Sequence, residues 1–432
     1  MKFFQESRNV FLVVLSIIFV LSACGNTGSG GSQSSNKEGK VTVNILQSKV
    51  EFKEQFESAA EKFMKENPDI NIEVETIGGG NDYSQVLKSK IASKSEPDIF
   101  NINGKEDLDY HKDRLLELTT MDSVKKVLDK NLLSPVSLDD KTYGVPMNQE
   151  GYGIIYNKEI FEKANIDVES IKSLDDLKKV AKEIDSQKED LNIEAAFALP
   201  GKEKWVLSDH AASVFLTDDF DNTIEKAVQS KSLPFSKSDQ LQKYLDIQKD
   251  FSKQPVGSID YSQQVEELFS TGKVAMIQQG NWAYPTIESV NPELAQNIGI
   301  FPIPVDNKMK MPVGVSTYWA VNNKSDEKVQ EASKKFIEWL YTEDEGKKVI
   351  LNEFKFIPVH KDYDTEKIAD PLSKEIYKYA ENGETSQWIF KGYPTGYTND
   401  SLGSFLQNYV IGESTFDDAI SKAKKAWESA RK

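Results

Sequence analysis

The chain has 432 residues, 28% of them charged, and a formal net charge of −16 at pH 7. An acidic surface of this kind argues against nucleic acid and anionic lipid as ligands, and it selects no other substrate class. The length exceeds what one hydrophobic core normally serves, at roughly 100–200 residues per domain, so two lobes are expected.

Residues 1–23 have the pattern of an export signal. Lys2 and Arg8 form a basic start, and residues 10–21 form an apolar run that is too short for a bilayer, which needs about 20 residues. The Leu-Ser-Ala-Cys sequence ending at Cys24 is similar to the lipobox of bacterial lipoproteins, which implies a lipid on this cysteine. Cys24 is the one cysteine of the sequence, so it can form no internal disulfide. We therefore predict a lipid-anchored protein on the extracellular face of the cell membrane.

Residues 24–40 follow the signal and contain no aliphatic or aromatic side chain. They are rich in glycine and serine, which is typical of a flexible tether. We predict that this segment lets the folded part stand off the lipid surface and still reach a partner in the membrane.

The segment after the tether alternates predicted strands with predicted helices. Apolar periodicity gives a strand, a helix, a strand, a helix and a strand at residues 41–46, 52–66, 70–74, 83–93 and 98–102. This βαβαβ order predicts a mostly parallel sheet with helices on both faces. Gln47 and Asn103 follow the first and third strands and are candidate ligand-binding residues. The glycines at 78–80 are predicted to form a turn, because Asn81 stands where a phosphate loop needs Gly-Lys-Ser/Thr.

Residues 143–167 have the pattern of a crossing between two lobes. Alternating apolar residues at 143–147 indicate a half-buried strand, and an apolar run resumes at Ile154. The predicted connection between these strands carries Asn148 and Glu150. Polar groups at such a joint either satisfy a turn or face a cleft, and the residues alone leave both alternatives open.

Aromatic residues outside the predicted elements are further candidates. Trp205 lies in a predicted loop, where a large aromatic side chain favours a binding role. A strand predicted at 273–278 ends in a turn that contains Asn281 and Trp282. Ligands of open α/β sheets lie beyond the carboxyl ends of strands, so both residues are candidates. We expect Trp282 to be the main stacking surface, since no period ties it to a core, and a buried wedge is the competing interpretation.

A second crossing is predicted at residues 312–321. Strand alternation places Tyr318 and Trp319 on opposite faces, so one of them is expected to face the cleft, and we favour Tyr318. Trp388 and Tyr393 lie in predicted irregular segments and complete the candidate ligand-binding residues.

Three patches resemble the family 1 extracellular solute-binding proteins, receptors of ABC importers for sugars that include maltose-binding protein. They lie at residues 66–100, 141–167 and 269–282, and contain sequences such as ENPDINIEVE, YNKEIFEKANID and FSTGKVAMIQQGNW. The resemblance implies a two-lobed α/β fold of type II, with mostly parallel sheets joined by hinge crossings. It also implies that Glu150 contacts sugar and that Trp282 stacks on it.

The resemblance covers nearly all of the chain after the tether and sets the expected lobes. With a third crossing near Asp370, lobe 1 is expected to comprise residues 41–147 and 317–370. Lobe 2 is then expected to comprise residues 148–316 and 371–432. The ligand is expected to bind between the two lobes.

Together these observations predict a monomeric receptor that captures an oligosaccharide and delivers it to ABC permease subunits, with no cofactor, metal or catalytic residue. His111, His210 and His360 lack metal-ligand spacing, so surface or satisfied core roles are expected. Trp339 and Trp427 lie at helical spacing and are expected in the core. Two alternatives stay open. An exported glycoside hydrolase needs only two suitably spaced carboxylates, and receptors of the same fold bind other solutes.

Overall fold

The computed structural model describes residues 39–77 and 83–432. The predictions for the export signal and for Cys24 lie outside these residues, as do nearly all of the tether and the turn predicted at 78–80. In the part of the chain that is described, no helix is both long and apolar enough to cross a bilayer.

The described residues form thirteen strands, and most of them belong to two sheets. In chain order the strands are β1 (Val41–Gln47), β2 (Ile70–Thr76), β3 (Ile99–Ile102), β4 (Ser137–Leu138), β5 (Lys141–Thr142), β6 (Val145–Pro146), β7 (Gln149–Asn157), β8 (Ala195–Phe197), β9 (Val274–Gly280), β10 (Ile298–Phe301), β11 (Met311–Val315), β12 (Tyr318–Val321) and β13 (Thr385–Ser386). Strands β4 and β5 pair only with each other.

Sixteen α-helices in the same residues cover the sheets. They are α1 (Lys53–Glu66), α2 (Tyr83–Ala92), α3 (Lys105–His111), α4 (Asp122–Lys125), α5 (Lys158–Lys163), α6 (Leu174–Ser186), α7 (Ser213–Leu216), α8 (Ile224–Gln229), α9 (Ser238–Asp250), α10 (Tyr284–Val290), α11 (Pro292–Gln296), α12 (Glu327–Thr342), α13 (Asp344–Lys348), α14 (Pro371–Glu381), α15 (Gly403–Val410) and α16 (Phe416–Ala430). A π-helical segment, Val206–Ala212, precedes α7.

Local sequence signals explain where the longer helices begin and end. Helix α1 buries one face, including Phe56 and Phe63, and ends at Glu66, two residues before Pro68. Helix α6 begins after Ser173, whose hydroxyl accepts from the Asp176 N–H at 3.2 Å and donates to its carboxylate at 2.7 Å. This Ser-x-x-Asp pattern caps the first turn of the helix.

The first sheet has the strand order β2-β1-β3-β12-β6. Strand β1 pairs in parallel with β2 and β3, with Val43 opposite Ile72 and Ile45 opposite Ile99. Strand β12 pairs antiparallel with β3 and β6. The βαβαβ unit predicted after the tether is therefore confirmed, and a strand that returns from later in the chain completes its sheet.

The second sheet has the strand order β13-β11-β7-β9-β8, and β10 also pairs with β7. Strand β7 runs antiparallel to β9, β10 and β11, whereas β8 and β9 are parallel. Both sheets are therefore mixed, where mostly parallel sheets were predicted. The difference arises because the strands that bring the chain from one sheet to the other run against their neighbours.

Each sheet has a hydrophobic core of its own. Beside the first sheet, the ring of Phe56 packs edge to face against Trp319 at 5.5 Å and Phe354 at 4.6 Å. The core of the second sheet extends to Trp427 in the last helix. Trp339 and Trp427 are both buried, as their helical spacing predicts.

The chain crosses between the sheets at residues 147–148, from β6 to β7, and at residues 316–317, from β11 to β12. Glu150 lies inside β7, where it pairs with Gly314 of β11. The loop predicted at 148–153 is therefore wrong, because this stretch already belongs to the sheet ladder.

Hydrogen bonds tie the two crossings together. The Met147 N–H donates to the Thr317 carbonyl at 3.0 Å. The Ser316 hydroxyl donates to Asn148 Oδ1 at 2.8 Å, and both side chains are buried. We call these two adjacent segments, residues 147–148 and 316–317, the crossing ribbon.

Candidate functional site

A cleft of about 450 Å³ lies between the two sheets, and we call it the central cleft. Side chains from both sheets and from the crossing ribbon line it: Ser48, Lys49, Glu51, Asn103, Glu150, Trp205, His210, Trp282, Ser316, Thr317, Trp388 and Phe390. Ser48 and Lys49 follow β1 directly, and Asn103 follows β3. The carboxyl ends of these parallel strands therefore face the cleft, which is where α/β sheets bind ligands.

One side of the central cleft, which we call the polar wall, comprises Ser48, Lys49, Glu51 and Asn103. Lys49 forms an ion pair with Glu150 across the cleft, and the two side chains are 14% and 4% exposed. Burial raises the pKa of Glu51, against the opposing effect of the nearby Lys49 charge. This side of the cleft thus offers charged groups that can direct hydrogen bonds to a ligand.

Two predicted residues support this ion pair. The Asn148 amide donates to Glu150 Oε1 at 3.1 Å. Gln47 is fully buried, and its Oε1 accepts from the Lys49 N–H at 2.5 Å. Its Nε2 donates to the Thr76 hydroxyl at 2.6 Å. Gln47 therefore fixes the start of the polar wall through these hydrogen bonds, and its buried side chain does not line the central cleft.

The opposite side, which we call the aromatic wall, comprises Trp205, His210, Trp282, Trp388 and Phe390. Trp388 stacks on Phe390 with a centroid distance of 5.3 Å and an interplanar angle of 28°. Trp282 meets Trp388 edge to face at 6.4 Å and 87°. Trp388 also lies directly on β11, where a Cβ added at Gly314 would approach its ring to 2.7 Å. The aromatic wall is therefore continuous with the second sheet.

Trp282 belongs both to the cleft and to the core. It lines the central cleft, yet it is only 7% exposed and packs into the core of the second sheet. Its indole N–H donates to Gln279 Oε1 at 2.9 Å. The expectation that nothing ties Trp282 to a core is therefore wrong, because a short helical turn after β9 folds the indole back over Gly280.

Asn281 has a structural position. Its side-chain oxygen accepts from the Gly151 N–H at 3.1 Å, and its amide donates to the Ser373 hydroxyl at 2.9 Å. The side chain is buried and does not line the central cleft. Both ends of its amide bond neighbouring elements, so the structure gives Asn281 a structural contact at the position where ligand contact was predicted.

Neither aromatic residue of the second crossing faces the cleft. Tyr318 is 3% exposed and its hydroxyl donates to the Leu132 carbonyl at 2.9 Å. Trp319 is 1% exposed, and its indole N–H donates to Tyr341 Oη at 2.8 Å. The prediction for Tyr318 is corrected because β12 is an inner strand of the first sheet and is packed on both faces.

Trp205 and Asn103 do line the central cleft. Trp205 precedes the π-helical segment directly and has helical dihedral angles, so the predicted loop is wrong at this position. Its indole N–H donates to Glu203 Oε2 at 2.8 Å. The Asn103 amide donates to Asp107 Oδ2 at 3.0 Å, which orients an otherwise exposed side chain.

A second cavity, of about 360 Å³, continues from the first and shares Asn103, Trp205 and Phe390 with it. Tyr393 lines this extension, together with Asp209 and Lys391.

Burial changes the proton affinity of Asp209 and Lys391, two of the charged residues that line the extension. Asp209 accepts from the Ser208 hydroxyl at 2.9 Å and from the Thr398 hydroxyl at 2.7 Å. Burial nevertheless raises its pKa to about 6. Lys391 donates to the Ser316 carbonyl at 2.7 Å, and burial lowers its pKa to about 8.

Sequence reasoning missed several residues that line these cavities. Lys49 comes directly after the first strand, so the argument that selected Gln47 and Asn103 could have found it. His210 was expected to have a structural role, and its place in an apolar helical stretch gives no signal of the cleft. Phe390 is likewise placed by tertiary packing alone.

The chemistry of the site suits an uncharged ligand with ring faces and hydroxyl groups. Aromatic faces supply contact area, and carboxylate, amide and ammonium groups supply direction. In the residues that the structure describes, no group of three or more His, Cys, Asp or Glu side chains could hold a metal ion.

The model of the bacterial extracellular solute-binding protein family matches residues 48–347. The chain belongs to this family. The resemblance found in the sequence is thereby confirmed, and members of this family are binding proteins that act outside the cytoplasm.

Characterised relatives of this solute-binding protein carry names that refer to sugars. It is 26% identical over 318 residues to the "Multiple sugar-binding protein" of Streptococcus mutans, covering 70% of each chain. It is 25% identical over 316 residues to the "Melibiose/raffinose/stachyose-binding protein MelE" of Bacillus subtilis, covering 71% of each chain.

Solved structures confirm the fold of this solute-binding protein. "SBP RafE in complex with raffinose" matches with a TM-score of 0.75 and 20% identity, covering 91% of this chain and 100% of that one. A "Chitin oligosaccharide binding protein" matches with a TM-score of 0.75 and 22% identity, covering 90% and 99%. The predicted type II α/β fold is therefore confirmed.

Proposed function

We propose that this solute-binding protein binds an oligosaccharide in the central cleft and delivers it to the permease of an ABC importer. One observation carries the proposal, namely that an aromatic wall faces a polar wall across a single cleft of about 450 Å³. The names of the relatives support the same ligand class. Trp282, Trp388 and Trp205 are proposed to contact ring faces, while Glu150 and Asn103 bond hydroxyl groups.

The size of the site supports a ligand of more than one sugar ring. The central cleft and its extension have volumes of about 450 and 360 Å³. Pockets for small molecules typically measure roughly 300–1,000 Å³. We propose that one unit lies against Trp282 and that further units extend towards Tyr393.

We propose that two lobes close around this ligand by bending at the crossing ribbon. Contacts between groups on the two sides support closure, since Lys49 pairs with Glu150 and the Thr395 hydroxyl donates to Glu106 at 2.9 Å. A ligand that contacts both sides only in the closed state favours that state by its difference in affinity. The proposed lobes are residues 41–147 with 317–370 and residues 148–316 with 371–432.

A thermal-shift screen tests the ligand class. The untethered protein is heated with melibiose, raffinose, stachyose, maltotriose and chitotriose, with a polyamine and an organic acid as controls. We expect at least one oligosaccharide to raise the melting temperature by several degrees, because a ligand at 100 times its Kd stabilises by about 2.7 kcal/mol. Stabilisation by a control solute and by none of the sugars would contradict the proposal.

The anchor is a separate part of the proposal. We propose that Cys24 carries a lipid that holds the protein, as a monomer, at the extracellular face of the membrane, because the Leu-Ser-Ala-Cys sequence and the polar tether fit that arrangement. Replacing Cys24 with alanine should release the protein from the membrane fraction. Retention of Cys24→Ala in that fraction, or an unmodified Cys24 by mass spectrometry, would contradict the anchor.

One observation favours hydrolysis enough to test it. Glu51 and Glu150 line the same cleft, and burial raises the pKa of Glu51, as in the acid of a glycosidase pair. The bound oligosaccharide should nevertheless be recovered intact after hours of incubation, because Lys49 already pairs with Glu150. Release of smaller sugars that Glu150→Gln abolishes would move the protein to the hydrolase class.

A further inference from the structure

His210 is the residue of the aromatic wall whose role the fold leaves unexplained. It lines the central cleft and is 5% exposed. Tyr152 stacks on its imidazole at 4.1 Å and 15°. Trp205 meets the ring edge to face at 4.9 Å and 87°, and Trp282 lies tilted at 5.0 Å. Aromatic side chains therefore hold this imidazole in one orientation.

The stacking partner is itself fixed by hydrogen bonds. Tyr152 Oη lies 2.9 Å from the Ser213 hydroxyl, and it donates to the Asp209 carbonyl at 3.1 Å. Asp209 and His210 are neighbours in the π-helical segment, so this turn positions both stacked rings. Single π-helical turns are frequent at functional sites, where they redirect side chains.

The imidazole is not a satisfied core group. Its Nδ1 is buried and has no hydrogen-bond partner among the described residues. An unpaired polar atom in an apolar environment destabilises the folded state, so such atoms are uncommon and call for an explanation. A satisfied core role, one of the two expected for His210 from the sequence, leaves this nitrogen unexplained, and the ring also borders the cleft.

The state of the ring follows from its surroundings. Burial, together with the positive charge of Lys391, lowers the pKa of His210 to about 3. The imidazole is therefore neutral at physiological pH, with a proton on one nitrogen only. Buried N–H groups without an acceptor are rarer than buried acceptors without a donor, so the proton belongs on Nε2 and not on the unpartnered Nδ1.

We propose that His210 determines specificity in the central cleft, by donating its Nε2 proton to a hydroxyl or ether oxygen of the bound sugar. This inference rests on the proposed function, and it names the recognising group within that site. A neutral donor stacked among aromatic rings can bond an uncharged oxygen without the desolvation cost of a charged side chain.

Two more buried polar atoms without a partner among the described residues lie beside the central cleft and its extension. They are Trp388 Nε1 and Tyr393 Oη. All three groups are uncharged, and two of them border the central cleft while the third borders its extension. Their chemistry matches a ligand rich in neutral oxygens better than one that carries a charge.

The test compares two variants, one that removes the hydrogen-bond donor of His210 and one that removes its aromatic ring. His210→Phe keeps an aromatic ring and removes the donor, whereas His210→Gln keeps a donor and removes the ring. Calorimetric titration uses melibiose, raffinose and stachyose. We expect His210→Phe to bind about tenfold more weakly than the wild type, and His210→Gln to recover at least about threefold of that loss.

His360 provides a matched control. It is also buried and its ring packs beside Tyr341 at 4.7 Å, but it does not line the cleft. His360→Phe should leave sugar affinity within about twofold of the wild type, since surface and core changes outside a site act mainly on stability. An equal loss in both Phe variants would overturn the role of His210.

Measurements without sugar complete the test. We expect His210→Phe to melt higher than the wild type, because an apolar ring replaces an unpaired polar one. Nitrogen NMR of the wild type at pH 7 should place the proton of His210 on Nε2, with His210→Gln giving the assignment. A proton on Nδ1, or unchanged affinity in His210→Phe, overturns the inference. A wild type that binds none of the sugars overturns the proposed function instead, so the two failures are distinct.

Discussion

The two walls of the central cleft differ in what holds them in place. Trp282 and Trp388 of the aromatic wall are buried members of the core of the second sheet. Lys49 and Asn103 of the polar wall follow strand ends and are held by local hydrogen bonds to Gln47 and Asp107 and by one ion pair. We infer that ligand binding and folding stability are coupled in the aromatic wall and largely separate at the exposed Asn103 of the polar wall.

The strongest test of this difference is Trp282→Ala. Truncating a buried tryptophan costs about 3–5 kcal/mol of unfolding free energy, and removing a stacking surface costs about 2–4 kcal/mol of binding free energy. We expect both losses together, measured by denaturation without sugar and by titration with the sugar that stabilises the wild type. Trp427→Ala is the control, since Trp427 is equally buried in the same core but lies outside the cleft.

The competing result would separate the two properties. If Trp282→Ala melted as the wild type does and lost only affinity, the aromatic wall would be independent of the core. If the variant is too unstable to titrate, Trp282→Phe keeps a ring in the same place. It should then show a smaller loss of both quantities.

The ion pair that joins the two sides of the cleft gives the next largest effect. Glu150→Gln leaves the Lys49 charge buried without its partner, which should cost about 3 kcal/mol of unfolding free energy. The double variant Lys49→Met with Glu150→Gln should recover most of that loss, because no uncompensated charge remains. Both variants should bind sugar more weakly than the wild type, because both lack the Glu150 carboxylate that is proposed to bond sugar hydroxyl groups. Wild-type melting of Glu150→Gln would show that the pair does not contribute to stability.

The pH dependence of stability tests the buried His360, which lies outside the cleft and packs beside Tyr341 in the core of the first sheet. Burial lowers the pKa of His360 to about 4, below its ordinary value of 6.5. The folded state therefore resists protonation, so the stability that depends on neutral His360 is complete above pH 6.5 and is lost as the pH falls towards 4. Between pH 7 and 5 the wild type should lose about 2 kcal/mol more than His360→Phe. Parallel pH profiles of the two proteins would contradict this assignment.

The smallest expected effect belongs to the polar wall itself. Asn103 is exposed and bonds Asp107. We expect Asn103→Ala to change the unfolding free energy by no more than about 0.5 kcal/mol and to lower sugar affinity by about 1 kcal/mol. Chemical denaturation and calorimetry on one sample measure both. A stability loss that exceeds the affinity loss would remove the distinction between the walls.

Elements with strong local signals could be predicted from the sequence. The order β1-α1-β2-α2-β3 follows from apolar periodicity, and the start of α6 follows from a cap at Ser173. The cleft position of Glu150 and Trp282 came from the family resemblance. Such local signals predict secondary structure correctly where the backbone conformation is determined by residues close in the sequence.

Side-chain orientation was harder to predict, because it depends on what covers each face. Alternation correctly separated Tyr318 from Trp319, yet both faces of β12 are covered, so neither residue reaches the cleft. Asn281 and Gln47 were selected for lying at strand ends, but each bonds neighbouring structure. His210 reaches the cleft through a π-helical turn, which no periodicity of the sequence marks.

The crossing ribbon has a mechanical consequence. For the closure proposed above, two extended segments that share hydrogen bonds are expected to bend across their common plane more easily than they slide past each other, so the cleft should open mainly by one angle. The aromatic and polar walls should then meet in the same alignment at every closure. In this proposal a longer sugar gains no room from twisting of the two halves, and we expect it to extend through the end of the cleft near Tyr393. We expect chain-length preference to depend on the residues that border that opening.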